Sequence, residues 1–281
     1  MAGEEHVAGA AEGKLDIIGH LLDHHYLEVP YFNAHHFFDG KIDLPHFAPF
    51  ELYGIPIDMS ITRHVVMMWI AGALLVTLML VAFRRSKEVP SGLSGLFEPM
   101  VLFVRDDIVL ANLGPRGLPY LPYLLTIFFF ILTCNLLGLI PYGATATGNV
   151  SVTAGLALCT FATILIAGIA NNGLFGYFKS LVPHGMPLWL LPIMIPVELL
   201  GLVTKPFALC IRLFANMTAG HVIILALFGM IFMFNNEAVG LIAVPFAAVI
   251  YLLEIFVALV QAFIFTLLSA LFIGMAAHPE H

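Results

Sequence analysis

Residues Leu188 to Phe234 read LWLLPIMIPVELLGLVTKPFALCIRLFANMTAGHVIILALFGMIFMF, and this long apolar stretch decides the fold. A second stretch follows at Val239–Ala277, with Asn235–Glu237 as the clear polar turn between them. About 40 helical residues reach ~60 Å, which is about twice the hydrocarbon thickness of a bilayer. Each stretch is therefore either two short helices or one long, strongly tilted helix. We predict a hairpin of two long tilted helices, kinked near the prolines they contain: Pro192, Pro196, Pro206 and Pro245.

The composition of the whole chain favours a membrane protein. Of its 281 residues, 60% are hydrophobic and 10% are charged, whereas a soluble domain carries about 25% charged residues. So little charge cannot cover a water-facing surface of this size, which argues against a soluble enzyme or a disordered regulator. The net charge of −7 has the wrong sign for binding nucleic-acid phosphates. A polytopic helical membrane protein is the class that fits.

Three further spans and an amphipathic helix precede the hairpin. The spans are predicted at Thr62–Phe83, Tyr120–Ile140 and Val150–Ala170. Between the first two, Pro90–Leu113 has apolar residues at helical spacing, punctuated by charges, as in a helix on a membrane surface. The predicted fold class is therefore all-α, with five transmembrane helices, the last two long and strongly tilted, and one amphipathic interfacial helix.

The charge distribution predicts the topology. Arg84, Arg85 and Lys87 follow the first span directly, and basic residues mark cytoplasmic ends. The N-terminus is then outside and the C-terminus cytoplasmic. We divide the chain into a polar arm at 1–60, a first span with the inner-face helix at 61–118, and the membrane helical domain at 119–277.

The polar arm is rich in histidine and lies outside in this topology. We expect a short helix at Val7–Leu27 and a loop at His35–Pro56. His20 and His24 are four residues apart, a spacing that could bind a metal on a helix. We favour the simpler interpretation, solvated histidines on an exposed segment.

Polar residues inside the two long stretches carry the functional signal, because an ionised group at the bilayer centre costs about 2.5–3.5 kcal/mol. In the first stretch, four of them share one narrow helix face: Glu198, Lys205, Arg212 and Asn216. His221 points away from Arg212. In the second stretch, Glu254 and Gln261 are seven residues apart and share a face.

The predicted topology orders these residues by depth. Glu198 is then on the inner side, Arg212 is central and His221 is on the outer side. The second stretch runs back, so Glu254 is outer and Gln261 is deeper. We expect His221 and Glu254 to meet in an outer polar pocket, and Arg212 and Gln261 to meet near the middle.

These side chains suggest proton conduction. Histidine titrates near neutral pH and can relay protons, whereas arginine is effectively never deprotonated and can only attract a carboxylate and repel protons. From outside to inside, the order is an acid–histidine pair, an arginine and a second acid. This order suggests two proton half-paths on either side of the arginine, which a mobile carboxylate on another chain must connect. The structural alternative is that Arg212 pairs with Glu198 or Glu254 and locks the bundle. Lys205 is expected to snorkel to the inner interface.

Two segments strongly resemble the a subunit of F-type ATP synthases. They are KPFALCIRLFANMTAGHVIILAL (Lys205–Leu227) and EIFVALVQAFIFTLLSALFIGMA (Glu254–Ala276), in which RLFAN followed by AGH, and QAFIF, are the most diagnostic parts. The segment NLLGLIPY (Asn135–Tyr142) is similar to an earlier span of that family. The architecture matches over residues ~60–277, and the motifs are concentrated in 198–276.

The resemblance implies a role for each polar residue. Arg212 matches the arginine that faces the ionisable carboxylate of each passing c subunit. Asn216 and Gln261 match polar neighbours of that arginine. His221 and Glu254 match the pair that lines the outer half-channel, and Glu198 matches an acid of the inner half-channel. Relative to many bacterial members, the acid and the histidine of the pair are exchanged. An acid common in the second span is replaced by Gly138.

The resemblance also implies the setting. The chain would be a non-catalytic stator subunit in the inner membrane of a bacterial cell. Its partners would be the c-subunit ring, the b subunits, the remaining ATP synthase subunits and the lipid bilayer, with no nucleic acid. It would need no cofactor and would transport H+, since imidazole relays protons and binds Na+ poorly. The sequence contains no P-loop motif, so ATP chemistry would belong to other subunits.

Two other functions stay open at this point. A secondary transporter whose Arg212 binds an anionic substrate predicts internal repeats and helices broken at the midplane, and no repeat is evident in the sequence. A purely structural scaffold predicts that Arg212→Ala leaves proton flux intact.

Overall fold

The computed structural model describes residues 26–29, 40–45, 50–52, 55–57, 60–84, 92–140, 145–180, 191–234 and 237–277. Contacts divide the chain into two units. The first consists of Met1–Arg63 and Ala215–Val257, and the second of His64–Phe214 and Ala258–His281. The division at residues 60 and 118, which follows charge along the sequence, stays a prediction.

Four short strands lie in the N-terminal arm: β1 Tyr26–Val29, β2 Gly40–Asp43, β3 Phe50–Leu52 and β4 Ile55–Ile57. They form two antiparallel pairs, β1 with β2 and β3 with β4. The loop prediction for His35–Pro56 is therefore wrong at β2, β3 and the start of β4. Antiparallel pairing satisfies backbone hydrogen bonds that a loop would leave to water, and isoleucine, phenylalanine and tyrosine favour it. The helix predicted at Val7–Leu27 lies outside the described residues, except for Tyr26 and Leu27, which begin β1.

The helices follow in chain order: α1 Arg63–Phe83, α2 Leu93–Phe103, α3 Ala111–Leu113, α4 Leu121–Gly138, α5 Val150–Asn172, α6 Leu174–Ser180, α7 Leu191–Phe234 and α8 Glu237–Ala277. Short 3-10 segments at Pro115–Tyr120 and Ala146–Gly148 precede α4 and α5. Among the described residues, five helices are long and apolar enough to cross a membrane: α1, α4 with its 3-10 segment, α5, α7 and α8. The predicted all-α membrane fold with five spanning helices is confirmed, and the short strands lie outside those spans.

The two last helices are long and continuous. Helix α7 has 44 residues and α8 has 41, and 44 residues rise about 65 Å along a helix axis. This confirms the interpretation as two long helices rather than four short ones. Pro196, Pro206 and Pro245 lie within them without ending them, as in many membrane helices, where neighbouring groups satisfy the freed carbonyls.

The predicted amphipathic helix is continuous from α2 to α3 but changes its winding. Residues Val104–Leu110 form a π-helical segment, in which each amide bonds five residues back. No residue of α2 is buried, although Phe97 packs edge-on against Phe129 at 5.7 Å. In the π segment, the guanidinium of Arg105 donates two hydrogen bonds to Asp106, at 2.7 and 3.0 Å, which lowers the pKa of that carboxyl.

The core of the second unit is formed mainly by the π segment, α4, α5, α7 and the end of α8. Its members with no exposed surface include Val104, Ile108, Leu124, Ile131, Leu213, Phe265 and Ile273. Close approach also depends on Gly274, because a Cβ there would lie 2.8 Å from the carbonyl oxygen of Asn112. Small residues that let backbones approach are typical of helix contacts in membranes.

The end of α8 is held by a side chain from α5. Asn172 Nδ2 donates a hydrogen bond of 3.0 Å to the carbonyl oxygen of Ala276. This carbonyl is one of the last four of α8, which have no partner within the helix. Asn172 thus fixes the end of α8 against α5 inside the second unit.

Candidate functional site

Helix α7 presents an arginine on an exposed face. Arg212 lies near the middle of its apolar span, and both Arg212 and Asn216 are exposed, while Glu198 is half-buried. In the described part of the second unit, no ion pair joins Arg212 to Glu198. The structural alternative that pairs these two residues is therefore not what the structure contains. An exposed guanidinium in an apolar span calls for a partner outside this surface, because the uncompensated charge is costly in lipid.

Within the first unit, the structure brings His221 and Glu254 together. His221 Nδ1 of α7 lies 3.4 Å from Glu254 Oε1 of α8. Glu254 is 3% exposed, and neither of its carboxyl oxygens accepts a hydrogen bond from the described part of the chain. The sequence predicted this meeting from topology alone. The two atoms are close enough for a hydrogen bond but are not aligned for one, so a small reorientation of either side chain would form it.

Gly220 makes room for the Glu254 side chain. A Cβ at Gly220 would lie 2.6 Å from Glu254 Oε1, 2.9 Å from Cδ and 3.2 Å from Cγ. The carboxyl group therefore packs directly on the backbone of α7, beside His221. The sequence analysis missed this role of Gly220, because AGH reads as a motif and does not reveal which side chain covers the glycine.

The ammonium group of Lys205 on α7 contacts an aromatic ring on α8. Its Nζ lies 5.4 Å from the ring centroid of Phe272 on α8, within the range of a cation–π interaction. The predicted snorkelling of Lys205 to the inner interface stays a prediction. This contact ties α7 to α8 inside the second unit, seven residues before Arg212.

Gln261 is 1% exposed on α8. The predicted meeting of Gln261 with Arg212 stays a prediction. A polar network that the sequence analysis did not identify lies in the same unit. Thr147 Oγ1 donates to Asn135 Oδ1 at 2.6 Å, and Asn135 Nδ2 donates to the carbonyl oxygen of Ala258 at 3.4 Å. An asparagine within an apolar span was the sequence signal that could have found this network.

Gly138 is covered by a neighbouring threonine. A Cβ at Gly138 would clash with the side chain of Thr145, which is 4% exposed. The turn that carries Thr145 and Thr147 therefore occupies the space beside α4 at this level. An acidic side chain at position 138 would not fit this arrangement.

The described residues hold no cluster of three or more histidine, cysteine or acidic side chains that could bind a metal ion. The histidines of the arm that suggested a metal, His20 and His24, lie outside the described residues. Cys134, Cys159 and Cys210 form no disulfide. Cys134 and Cys210 are buried, and buried free cysteines act as small apolar packing residues.

The chemical capacity of the site follows from its parts. In the first unit, the half-buried imidazole of His221 and the buried carboxyl group of Glu254 can exchange a proton. In the second unit, the exposed guanidinium of Arg212 can attract an anion without giving up its own proton. The five apolar helices and these polar groups define a class, a multi-pass helical membrane protein with side chains suited to ion transport.

The family is shown by comparison with known proteins. The model of the ATP synthase A chain family matches residues 65–274. The ATP synthase subunit a of Chloroherpeton thalassium is 49% identical over 275 residues, which cover 95% of this chain and 78% of the relative. The ATP synthase subunit a of Myxococcus xanthus is 53% identical over 80% of this chain and 75% of the relative. The ATP synthase subunit a 2 of Prosthecochloris aestuarii is 48% identical over 98% of this chain and 84% of the relative.

The chain therefore belongs to the ATP synthase A chain family. As a member of this family, the chain is part of the membrane sector Fo of the ATP synthase complex. It takes part in proton transport and ATP synthesis.

Proposed function

We propose that this chain is the stator subunit that supplies two proton half-channels and couples proton flow to rotation of a c-subunit ring. The observation that carries the proposal is the exposure of Arg212 near the middle of an apolar span. A guanidinium there is stabilised when a carboxylate of a partner subunit faces it. An ionisable carboxylate on each c subunit would meet this requirement as the ring turns.

The outer half-channel is assigned to His221 and Glu254. Their 3.4 Å contact provides an acid and an imidazole side by side, so a proton entering from outside can pass between them and reach a carboxylate of the ring. Asn216 on α7 and Gln261 on α8 are the neutral neighbours on this route. They can donate and accept hydrogen bonds without adding charge.

The inner half-channel is assigned to Glu198. This residue is half-buried on α7, fourteen positions before Arg212, which corresponds to about 20 Å along the helix axis. A ring carboxylate that loses its proton beside Arg212 releases it towards Glu198. Arg212 separates the two half-channels because its positive charge repels protons and it does not itself titrate.

The positions of the two half-channels set the direction of proton flow, and the membrane potential sets the free energy gained for each proton. Protons enter from outside, neutralise a ring carboxylate, travel with it through lipid, and leave on the inside. A unit charge that crosses 100 mV contributes about 2.3 kcal/mol, so several protons are needed for each ATP. The chain would need no cofactor, would transport H+, and would leave the chemistry of ATP to other subunits.

The setting follows from the family and the charge distribution. We place the chain in the inner membrane of a bacterial cell, with its N-terminus outside and its C-terminus in the cytoplasm. Arg84 directly after α1 supports this orientation. The partners are the c ring, the b subunits and the remaining subunits of the ATP synthase.

The test is ATP-driven proton pumping in membrane vesicles that contain the assembled complex. Arg212→Ala should abolish pumping and allow a passive proton leak, because the positive barrier between the half-channels is lost. Arg84→Ala is the matched control, since it removes an exposed arginine outside the spans and should pump like the wild type. Normal pumping by Arg212→Ala, with the complex intact, would refute the proposal and favour a scaffold or a transporter.

A further inference from the structure

A buried hydrogen-bond network connects α4 to α8 inside the second unit. Asn135 and Thr147 are each 0% exposed. The hydroxyl of Thr147 donates to Asn135 Oδ1 at 2.6 Å, and Asn135 Nδ2 donates to the carbonyl oxygen of Ala258 at 3.4 Å. Three separate elements, the 3-10 turn, α4 and α8, are thus joined by one side-chain amide.

The network has a defined polarity. Because the Thr147 hydroxyl donates to Oδ1, the nitrogen of the Asn135 amide is directed to the other side, where it finds the carbonyl of Ala258. A backbone carbonyl has two lone pairs, so this oxygen can accept from Asn135 as well as from the amide within α8. Thr145, packed over Gly138, holds the turn against α4 one helical turn after Asn135.

The contact is close to Gln261 along the helix. Ala258 and Gln261 are three residues apart on α8, which places them about 4.5 Å apart along the axis and ~60° apart around it. A hydrogen bond to the Ala258 carbonyl therefore restrains both the height and the rotation of the turn that carries Gln261. Gln261 is itself buried, so a shift of its turn cannot be absorbed by solvent.

We propose that Asn135, oriented by Thr147, is a positioning residue: it fixes the axial position and rotation of the α8 turn that carries Gln261 in the proton path. The inference rests on the proposed function, because it assigns Asn135 a role through Gln261. The polar contribution of α4 is then an uncharged hydrogen bond from Asn135 to α8. It lies near the level where the turn around Thr145 leaves no space for an acidic side chain.

The experiment measures the rate of proton flux through vesicles with the assembled complex, at matched amounts of complex. Asn135→Leu keeps the branched shape and the number of side-chain heavy atoms, with bulkier methyl groups, and removes both hydrogen bonds. Thr147→Val removes only the donor that orients the amide, and Thr147→Ser keeps it. Thr133→Val is the matched control, because Thr133 lies on α4 and its hydroxyl bonds only to the carbonyl of Phe129, at 2.7 Å, within its own helix.

We expect Asn135→Leu to slow proton flux about 5- to 150-fold, as expected when buried hydrogen-bonding groups lose their partners. Thr147→Val should show a smaller loss, and Thr147→Ser and Thr133→Val should match the wild type. The decisive variant combines Asn135→Leu with Gln261→Leu. If Asn135 acts through Gln261, the double variant is no slower than Gln261→Leu alone.

Two results would overturn the inference: wild-type flux in both Asn135→Leu and Thr147→Val, or losses that multiply in the double variant. If Asn135→Leu lowers the amount of complex, the comparison of Thr147→Val with Thr147→Ser and Thr133→Val decides instead. Failure of the proposed function looks different, since Arg212→Ala would then pump normally. A silent Asn135→Leu beside an inactive Arg212→Ala refutes the positioning role alone.

Discussion

Replacing Gly220 by alanine should slow proton flow, because the added methyl group displaces the carboxyl group of Glu254. The new Cβ would lie 2.6 Å from Glu254 Oε1 and 2.9 Å from Cδ, whereas unstrained heavy-atom contacts need about 3.5 Å. The carboxyl group must therefore move by up to about 1 Å away from α7. Its 3.4 Å contact with His221 then opens beyond hydrogen-bond distance.

The size of the effect follows from overpacking. Forcing extra atoms into a filled site costs about 1–3 kcal/mol, and if this cost appears in the transfer step, the rate falls about 5- to 150-fold. Alanine is also the better helix former by about 1 kcal/mol, so α7 itself should stay folded. The loss should therefore appear in proton flux and not in the amount of assembled complex.

The assay is the initial rate of ATP-driven acidification of vesicles, normalised to the amount of complex. Gly201→Ala is the matched control, because Gly201 lies on the same helix and a Cβ there meets nothing within 4 Å. Gly220→Val should be slower than Gly220→Ala, since it adds two more methyl groups at the same place. Wild-type rates in both Gly220 variants, with normal assembly, would refute the steric reasoning.

Three further outcomes concern stability. Asn172→Leu should lower the thermal inactivation temperature of the complex, since the carbonyl of Ala276 loses its donor at a cost of about 1–3 kcal/mol; an unchanged temperature would contradict this. Burial raises the pKa of Tyr177 above its usual value of 10.0, so its contribution to stability is present below pH ~10 and is lost as the pH rises through the higher pKa of the folded state. Tyr177→Phe should therefore reduce the alkaline loss of stability in thermal melts at pH 8 and pH 10.5, and equal losses would count against it. Lys205→Met should lower stability by about 0.5–1 kcal/mol through loss of the contact with Phe272, as measured by the same melts. Phe272→Leu should then cost less in the Lys205→Met background than in the wild type, because only its packing contacts remain to be lost; equal costs would contradict the contact.

The long helices could be predicted because their signal is local. Apolar runs of this length have few alternatives in a membrane, so the continuity of α7 and α8 follows from the near absence of polar breaks between Leu191 and Phe234. The contact between His221 and Glu254 could also be predicted, since a hairpin with one turn leaves little freedom in register.

Other features depend on contacts that a one-dimensional pattern does not contain. Nothing in the residues around Gly220 indicates that Glu254 lies on it, because the partner is on another helix. The same holds for Asn135, whose partners Thr147 and Ala258 come from two different elements. The strands of the arm were missed because short β-forming segments between polar residues look like loops until a partner strand is known.

The π-helical segment at Val104–Leu110 changes the angular position of the side chains after it relative to those before it. The turns before it and after it have different angular phases, and each phase is fixed by its own contact: Phe97 against Phe129 before the segment, and Asn112 against Gly274 after it. The wider π winding absorbs about one residue, so the seven residues of the segment turn through about the same angle as six residues of ordinary α-helix. Rewinding all seven as α-helix would rotate one part by about 100° relative to the other and keep only one of the two contacts. Substitutions of exposed residues that preserve the π winding should therefore be tolerated, whereas a further inserted residue should not.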